Sequence, residues 1–280
     1  MIAWGNVDLK KGLVVPSTMD AMLGALGSDV RFNSTVPASV NLTGDARVAC
    51  GFNVGVMYDI SSQWTVGVNF RSKMTMRVKS GDAKVNYANE VARGLLESKL
   101  GLINEANFAA EMPMPAVLTF GVSYKPIAPL TLAFDAQFTG WSTYKCLDIN
   151  FLDPAVSAYN QHLIKDYRNA WAFRLGAQYA VTPRLDLRAG FIVDMTPVNK
   201  DYYNPETPGM TKVEPSVGLS FRPLPSLSID VAMLYVAGLG EKDARCPYVD
   251  LLAAQMGGNP DRTFEAEYKV CLLYTSDAAD

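Results

Sequence analysis

Histidine is almost missing from this chain: 280 residues contain one, His162. A Ser/His/Asp relay needs that one ring, and a metal site with two imidazole ligands is excluded. Long hydrophobic runs are missing too. No stretch approaches the roughly 18 apolar residues of a membrane-spanning helix. Charge is nearly balanced, at a net of -3, which argues against a nucleic-acid partner because phosphate binding wants a basic surface. The opening residues, MIAWGNVDLKK, lack the basic segment, apolar core and small-residue cleavage site of a secretory leader. Either the protein is cytosolic or its true N-terminus lies upstream.

Cysteine is scarce and badly spaced for chemistry. Cys50, Cys146 and Cys246 are far apart, with no C-x-x-C pair. Free thiols are the better reading, with a Cys146–Cys246 disulfide as the alternative, and no metal or cofactor is expected. The fourth, Cys271, opens the terminal CLLYTSDAAD, which resembles the in-frame translation of a transposase-type sequencing adapter. Residues 271–280 are therefore set aside as a non-native tail. The gene is expected to run on past Val270, and a missing start is expected as well.

What the chain does have is alternation. In LTLAFDAQFTGW, Leu130, Leu132, Phe134, Ala136 and Phe138 take one side, and Thr131, Asp135, Gln137 and Thr139 the other. A strand sends successive side chains to opposite faces, so this is a ribbon with one oily and one polar face. Similar rows begin at Phe52, Trp64, Leu118, Trp171, Leu185, Val217 and Leu227. The Trp64 row is expected to continue through Met74, Met76 and Val78, and a further row starts at Phe264 and includes Ala266, Tyr268 and Val270. The connections DISSQ, KPIAP, VTPR and RPLPS are short and turn-rich. Between them lie long segments near 80–115, 152–168, 196–211 and 237–263. Short and long alternate, as in an up-and-down meander with tight turns at one end and large loops at the other.

The oily rows carry no charge within the strand cores. Tyr58, Trp64, Tyr124, Tyr179 and Phe221 sit near the short turns, with Trp141, Trp171 and Tyr235 toward the other end. Two aromatic bands flanking an apolar stripe fit the two bilayer interfaces. The oily face is then expected to meet lipid, and the polar face a lumen. Such strands must close, because an open edge in hydrocarbon leaves backbone groups unpaired.

On these rows, GFNVGVMYDISSQWTVGVNFRSKMTMRVKSGD, MPMPAVLTFGVSY, FDAQFTGWSTYKCLDINF and LRAGFIVDMTPV resemble the FadL-type outer-membrane transporters over roughly residues 48–270. The resemblance implies an all-β fold: an antiparallel up-and-down transmembrane β-barrel, partial here, with about nine of fourteen strands and helical segments in long extracellular loops. It implies residues 1–49 as an extracellular loop segment with an amphipathic helix, and 50–270 as the barrel. It also implies passive uptake of long-chain fatty acids or other lipophilic small molecules across the Gram-negative outer membrane. The surroundings would be outer-membrane lipid and lipopolysaccharide, the barrel monomeric, and no enzyme chemistry is expected. The alternatives are a structural or adhesive outer-membrane barrel, or a soluble lipid-binding β protein with its oily face inward.

Candidate ligand contacts follow. STMDAMLGALGSD places Met22, Leu23 and Leu26 on one helical face, with Ser17 or Thr18 as N-cap. YANEVARGLLESKLGLINEANF does the same for Leu95, Leu96, Leu102 and Ile103. Both would line a greasy entry groove, as the family implies, or merely bury their own apolar faces as a lid. A fatty-acid carboxylate wants a cation. Arg168, beside Lys165 at a strand's outer end, is the first choice, and Arg174 is on the inner face. For any one arginine, a salt bridge across the sheet, such as Arg174 with Asp194, is the competing role. Finally, hairpin pairing sets Gly55 opposite Gly67, Gly121 opposite Ala133, Gly176 opposite Gly190 and Gly218 opposite Ala232. This inward belt of small residues either eases strand coiling or opens a cavity.

Overall fold

The computed structural model describes residues 1–13, 38–100, 103–249, 259 and 261–279. The chain divides into two compact units. The larger comprises Gly51–Lys73, Met114–Lys145 and Ile164–Asp280. Its strands are β3 (Asn53–Asp59), β4 (Trp64–Arg71), β7 (Val117–Ile127), β8 (Leu130–Thr139), β11 (Ala170–Thr182), β12 (Leu185–Asp194), β13 (Lys212–Leu224), β14 (Leu227–Gly238), β15 (Glu241–Val249), β16 (Asp261–Tyr268) and β17 (Cys271–Ala279). The smaller comprises Met1–Cys50, Met74–Pro113 and Cys146–Leu163. It holds β1 (Ile2–Leu13), β2 (Ala38–Cys50), β5 (Met74–Tyr87), α1 (Glu90–Leu100), β6 (Glu105–Met114), β9 (Cys146–Phe151) and β10 (Gln161–Ile164).

The larger unit is built on a nine-stranded sheet ordered β17-β14-β13-β12-β11-β8-β7-β4-β3. Every neighbouring pair is antiparallel. The eight sequence rows from Phe52 to Tyr235 are the strands β3 to β14 of this meander, joined alternately by short turns and long excursions, as alternation required. The oily face is uncovered along it: Val56 is 69% exposed, Tyr58 66% and Leu175 59%. A soluble sandwich would bury such a face at about 25 cal/mol per Å². An apolar face this continuous has lipid as its natural solvent. Trp64 stacks on Tyr124 with ring centroids 4.1 Å apart beside the short turns, and Trp171 packs on Phe138 at 5.1 Å toward the other end.

The smaller unit is a six-stranded sheet ordered β1-β2-β5-β6-β9-β10, packed around Leu42, Val78, Ala83, Phe108 and Ile149. Phe108 is 1% exposed. Its ring lies where a side chain on Gly81 would be: a Cβ there would meet Phe108 Cε1 at 2.5 Å and the Thr43 carbonyl at 2.9 Å. Gly81 is thus the gap that lets the largest core residue in.

Several expectations are corrected. Met74, Met76 and Val78 do not continue the β4 row; the strand breaks at Ser72 and Lys73, and β5 belongs to the six-stranded sheet with Met74 and Val78 buried. The break is held by the Phe52 amide donating to Ser72 Oγ and the Ser72 amide to the Phe52 carbonyl, each at 2.9 Å. Phe264, Ala266 and Tyr268 form not a further strand of the large sheet but β16, paired with β15 in a separate ribbon. Residues 1–49, expected as a loop segment, supply β1 and most of β2. The set-aside tail lies along β14 as β17. Edge pairing is made by main-chain groups, so it accepts a chain whatever its side chains. Trp141 leaves the aromatic band for a short turn, where it meets Tyr167 edge-on at 5.9 Å.

The second expected helix forms as α1, with Asn89 Oδ1 accepting from the Ala92 amide at 2.7 Å as its N-cap and with Ala92 and Leu96 buried. It is shorter than expected: Ile103 lies beyond its end, half-buried and outside any helix or strand. Leu102 and the whole first helix, with Met22, Leu23 and Leu26, lie outside the described residues, as does the Leu95 side chain.

Candidate functional site

The inner wall of the nine-stranded sheet is the candidate site. Its register brings small residues into one straight row: Thr65 faces Ser123, Ser123 faces Ala133, Ala133 faces Gly176, Gly176 faces Gly190, and Gly190 faces Ser216. Two of the four expected hairpin pairs hold, Gly176 with Gly190 and Gly218 with Ala232. The other two are shifted by two residues. Gly55 faces Asn69 and Gly67 faces Met57, while Gly121 faces Asp135 and Ala133 faces Ser123. A two-residue shift keeps every side chain on its face, so the belt survives with different partners. Gly67 and Gly121 face each other across β4 and β7.

This row bounds two hollows. One, of about 510 Å³, is lined by Gly55, Gly67, Gly121, Ser123, Ala133 and Asp135. The second, of about 300 Å³, runs over Arg188, Gly190, Ser216, Gly218, Asp230 and Ala232. A Cβ built on Gly176 meets nothing within 4 Å, so packing does not require a glycine there.

Around the row the wall is polar, and Arg174, Arg188 and Arg222 on it are engaged. Arg174 Nη1 donates to Asp135 Oδ1 at 2.8 Å and also reaches Gln137 Oε1 at 3.3 Å. Its partner is therefore Asp135, not Asp194, which pairs instead with Lys212 at 3.0 Å. Arg188 donates to Gln178 Oε1 and to Asp230 Oδ1, both at 3.1 Å, and Ser228 Oγ donates to Asp230 Oδ2 at 3.0 Å. Nearer the short turns, Arg222 Nη2 donates to Asp186 Oδ2 at 2.8 Å, where Asp186 is 3% exposed and the facing Ser220 2%. Charges on a lumen wall are kept neutral in pairs because each alone would carry a desolvation cost. A ligand carboxylate would have to displace Asp135 to reach Arg174.

At the long-loop end of the same unit lies an aromatic cluster. Tyr144 and Tyr167 are buried and meet edge-on at 5.1 Å. Lys165, between them in sequence, is 4% exposed, with its Nζ 3.3 Å from Thr207 Oγ1. Arg168 is exposed, its amide donating to the Pro197 carbonyl. Asp166 has positive φ and a carboxylate that accepts from Lys145 Nζ at 2.7 Å and Asn199 Nδ2 at 3.2 Å. The hydrogen bond and charge of Lys145 hold its carboxyl below the ordinary aspartate value. Tyr203 stacks on Tyr268 at 4.5 Å, and the Tyr268 hydroxyl donates to the Gly209 carbonyl at 2.6 Å. Burial pushes that hydroxyl's pKa up to about 12, so it stays a donor. Lys165 is thus buried in the turn that carries Tyr167, while Arg168 lies exposed on the same turn. Thr65, Ser123 and Ser216 were missed in the belt, although their parity on each strand marks them as inward.

A meander with its oily face bare and its ion-paired, small-residue face turned to a hollow is the wall of a transmembrane β-barrel. The chain belongs to the family described as "Outer membrane protein transport protein (OMPP1/FadL/TodX)", which it matches over residues 10–262. That membership places it in the bacterial outer membrane. It is 24% identical to an Escherichia coli long-chain fatty acid transport protein, covering 77% of this chain and 51% of that one. The fold is shared with a Pseudomonas aeruginosa FadL homologue at TM-score 0.68 and 20% identity, over 99% of this chain and 61% of the other. It is also shared with the P. putida toluene transporter TodX at TM-score 0.56 and 16% identity, over 99% and 63%. The chain spans about half the length of the curated relatives it matches.

Proposed function

We propose that this chain forms the later part of a barrel that passes hydrophobic small molecules, long-chain fatty acids among them, passively across the outer membrane. The observation that carries the reading is the straight inward row from Thr65 to Ser216, which keeps the wall free of bulk at one depth. A structural or adhesive barrel has no need of that clearance. The names of the Escherichia coli and P. putida relatives support lipophilic substrates as a class.

Within this reading Lys165 and Arg168, on the turn at the long-loop end, hold the ligand's carboxylate. The Leu96 face of α1 belongs to the lid or groove on the extracellular side. Residues 1–49 and 74–113 serve the outer loops, and residues 53–238 contain the lipid-facing wall. The test is uptake of oleate and of toluene by a carrier-deficient host producing the full-length protein. Uptake of both, with Lys165→Met lowering oleate uptake several-fold and sparing toluene, is the expected result. A protein that reaches the outer membrane yet passes neither overturns the transport reading.

A further inference from the structure

One side-chain cluster is not used by the proposed transport reading. In the smaller unit, β9 and β10 are neighbours in the six-stranded sheet. Cys146 and Asp148 are two apart on β9 and so share a face. His162 on β10 reaches the same carboxylate. Cys146 Sγ lies 3.3 Å from Asp148 Oδ2, and His162 Nδ1 2.5 Å from Asp148 Oδ1. One donor atom from each of the three residues falls within 4.8 Å of the others.

A hydrolytic relay does not fit this order. A Cys/His/Asp relay needs the imidazole between thiol and carboxylate, to take the thiol proton. Here the carboxylate stands in the middle, and the thiol donates to it. Nor is the cluster a plain ion pair, since a sulfur donor is present.

The donor set suits a borderline divalent cation. Thiolate, imidazole and carboxylate are all ligands of tetrahedral Zn²⁺, whereas Mg²⁺ and Ca²⁺ take oxygen. Zinc bonds of about 2.0–2.3 Å set neighbouring tetrahedral donors roughly 3.3–3.6 Å apart. The Cys146–Asp148 separation already matches. His162 Nδ1 lies instead on the other carboxylate oxygen, Oδ1, so its ring must shift to reach a comparable separation from Oδ2 once the proton between them is replaced by a metal bonded to both. His162 is free to make that move, with its side chain 65% exposed. The connection between the two strands is fixed from both ends: Asp153 Oδ1 accepts from the Ala155 amide at 2.9 Å, and Asn160 Oδ1 from the Phe151 amide at 2.7 Å.

We infer that Cys146, Asp148 and His162 form a zinc site with three protein ligands and an open fourth position for water. On binding, the Cys146 thiol and the His162–Asp148 bridge lose their protons to solvent. Two anionic ligands then neutralise the dication, and the metal staples the four-residue strand β10 to β9.

Thiol protection tests it. The full chain, folded in detergent, is treated with a maleimide with and without micromolar free Zn²⁺, and labelling is read at each cysteine by mass spectrometry. Exposed Cys50 is the internal reference. Zinc should slow labelling at Cys146 about tenfold or more and leave Cys50 unchanged, while Mg²⁺ does nothing. His162→Ala and Asp148→Asn, both at partly exposed positions, should each weaken the protecting zinc affinity roughly 10–100-fold. Equal labelling of Cys146 with and without zinc overturns the site. Protection that survives in both variants overturns it equally, since the thiol would then be acting without the other two ligands.

Discussion

Gly176 faces Gly190 across β11 and β12, yet the two glycines occupy different surroundings. A Cβ on Gly176 meets nothing within 4 Å, while one on Gly190 comes 2.6 Å from Ser216 Oγ. A side chain on Gly190 would have to turn the Ser216 hydroxyl aside; Gly176 leaves room that no protein atom takes. Gly176→Leu should therefore fold and insert normally but fill that room, lowering uptake of a bulky lipophile several-fold. Heat-modifiable mobility on gels checks the folding, and uptake checks the passage. Normal uptake with normal folding would assign the belt to strand coiling.

Much of the wall is readable in the sequence because the lipid face must be apolar at every second residue. Leu130, Leu132, Phe134 and Phe138 satisfy that rule, and their strand, face and neighbours follow. Register is less legible. Between Tyr124 and Ile127 the register with β8 shifts by one residue at a bulge, so the pairing set at the turn does not carry unchanged to Gly121, which faces Asp135. Nothing in the turn residues alone counts that extra position. Sheet membership is less legible still. Met74, Met76 and Val78 have the same period as the row before them, and only the pairing of β5 with β2 shows that a different sheet begins. The cluster of Cys146, Asp148 and His162 was invisible because its spacing matches no familiar ligand pattern. Strand pairing, not sequence proximity, brings His162 to the other two.

Asp186 and Arg222 make a pair of unequal exposure: the carboxylate side chain is 4% exposed and the guanidinium 45%. Removing the arginine strands a buried anion, whereas removing both groups does not. Arg222→Ala should destabilise the folded barrel by roughly 1–3 kcal/mol. Asp186→Asn combined with Arg222→Ala should recover part of that loss. Urea unfolding in lipid, arranged as a double-mutant cycle, reads the coupling.

Gly81 makes a separate prediction for the six-stranded sheet. Its missing side chain is the space that the Phe108 ring occupies, so Gly81→Ala forces the ring or β5 to shift. Overpacking of this kind costs about 1–3 kcal/mol. Phe108→Leu in the same chain should relieve part of the strain. Hydrogen exchange of the β5 and β6 amides is the measurement, and unchanged protection in Gly81→Ala would show that the ring moves aside freely.

The Asp166 clasp gives a pH dependence whose sign is fixed. Lys145 holds the Asp166 carboxyl below its ordinary value of 3.8, so the charged form is favoured in the fold. Such a group contributes stability above its unfolded-state pKa, and the contribution is lost as pH falls through the lowered folded-state value. The turn that carries Lys165 and Arg168 should therefore stay closed from neutral pH down to about 4 and loosen below it. Asp166→Asn keeps a side chain tolerant of the residue's positive φ but removes the charge, so its turn should show the looser state without that acid transition. Proteolysis of the 164–169 segment, followed between pH 6 and pH 3 with an acid-tolerant protease, distinguishes the two. An acid transition of equal size in Asp166→Asn would move the switch to another carboxylate.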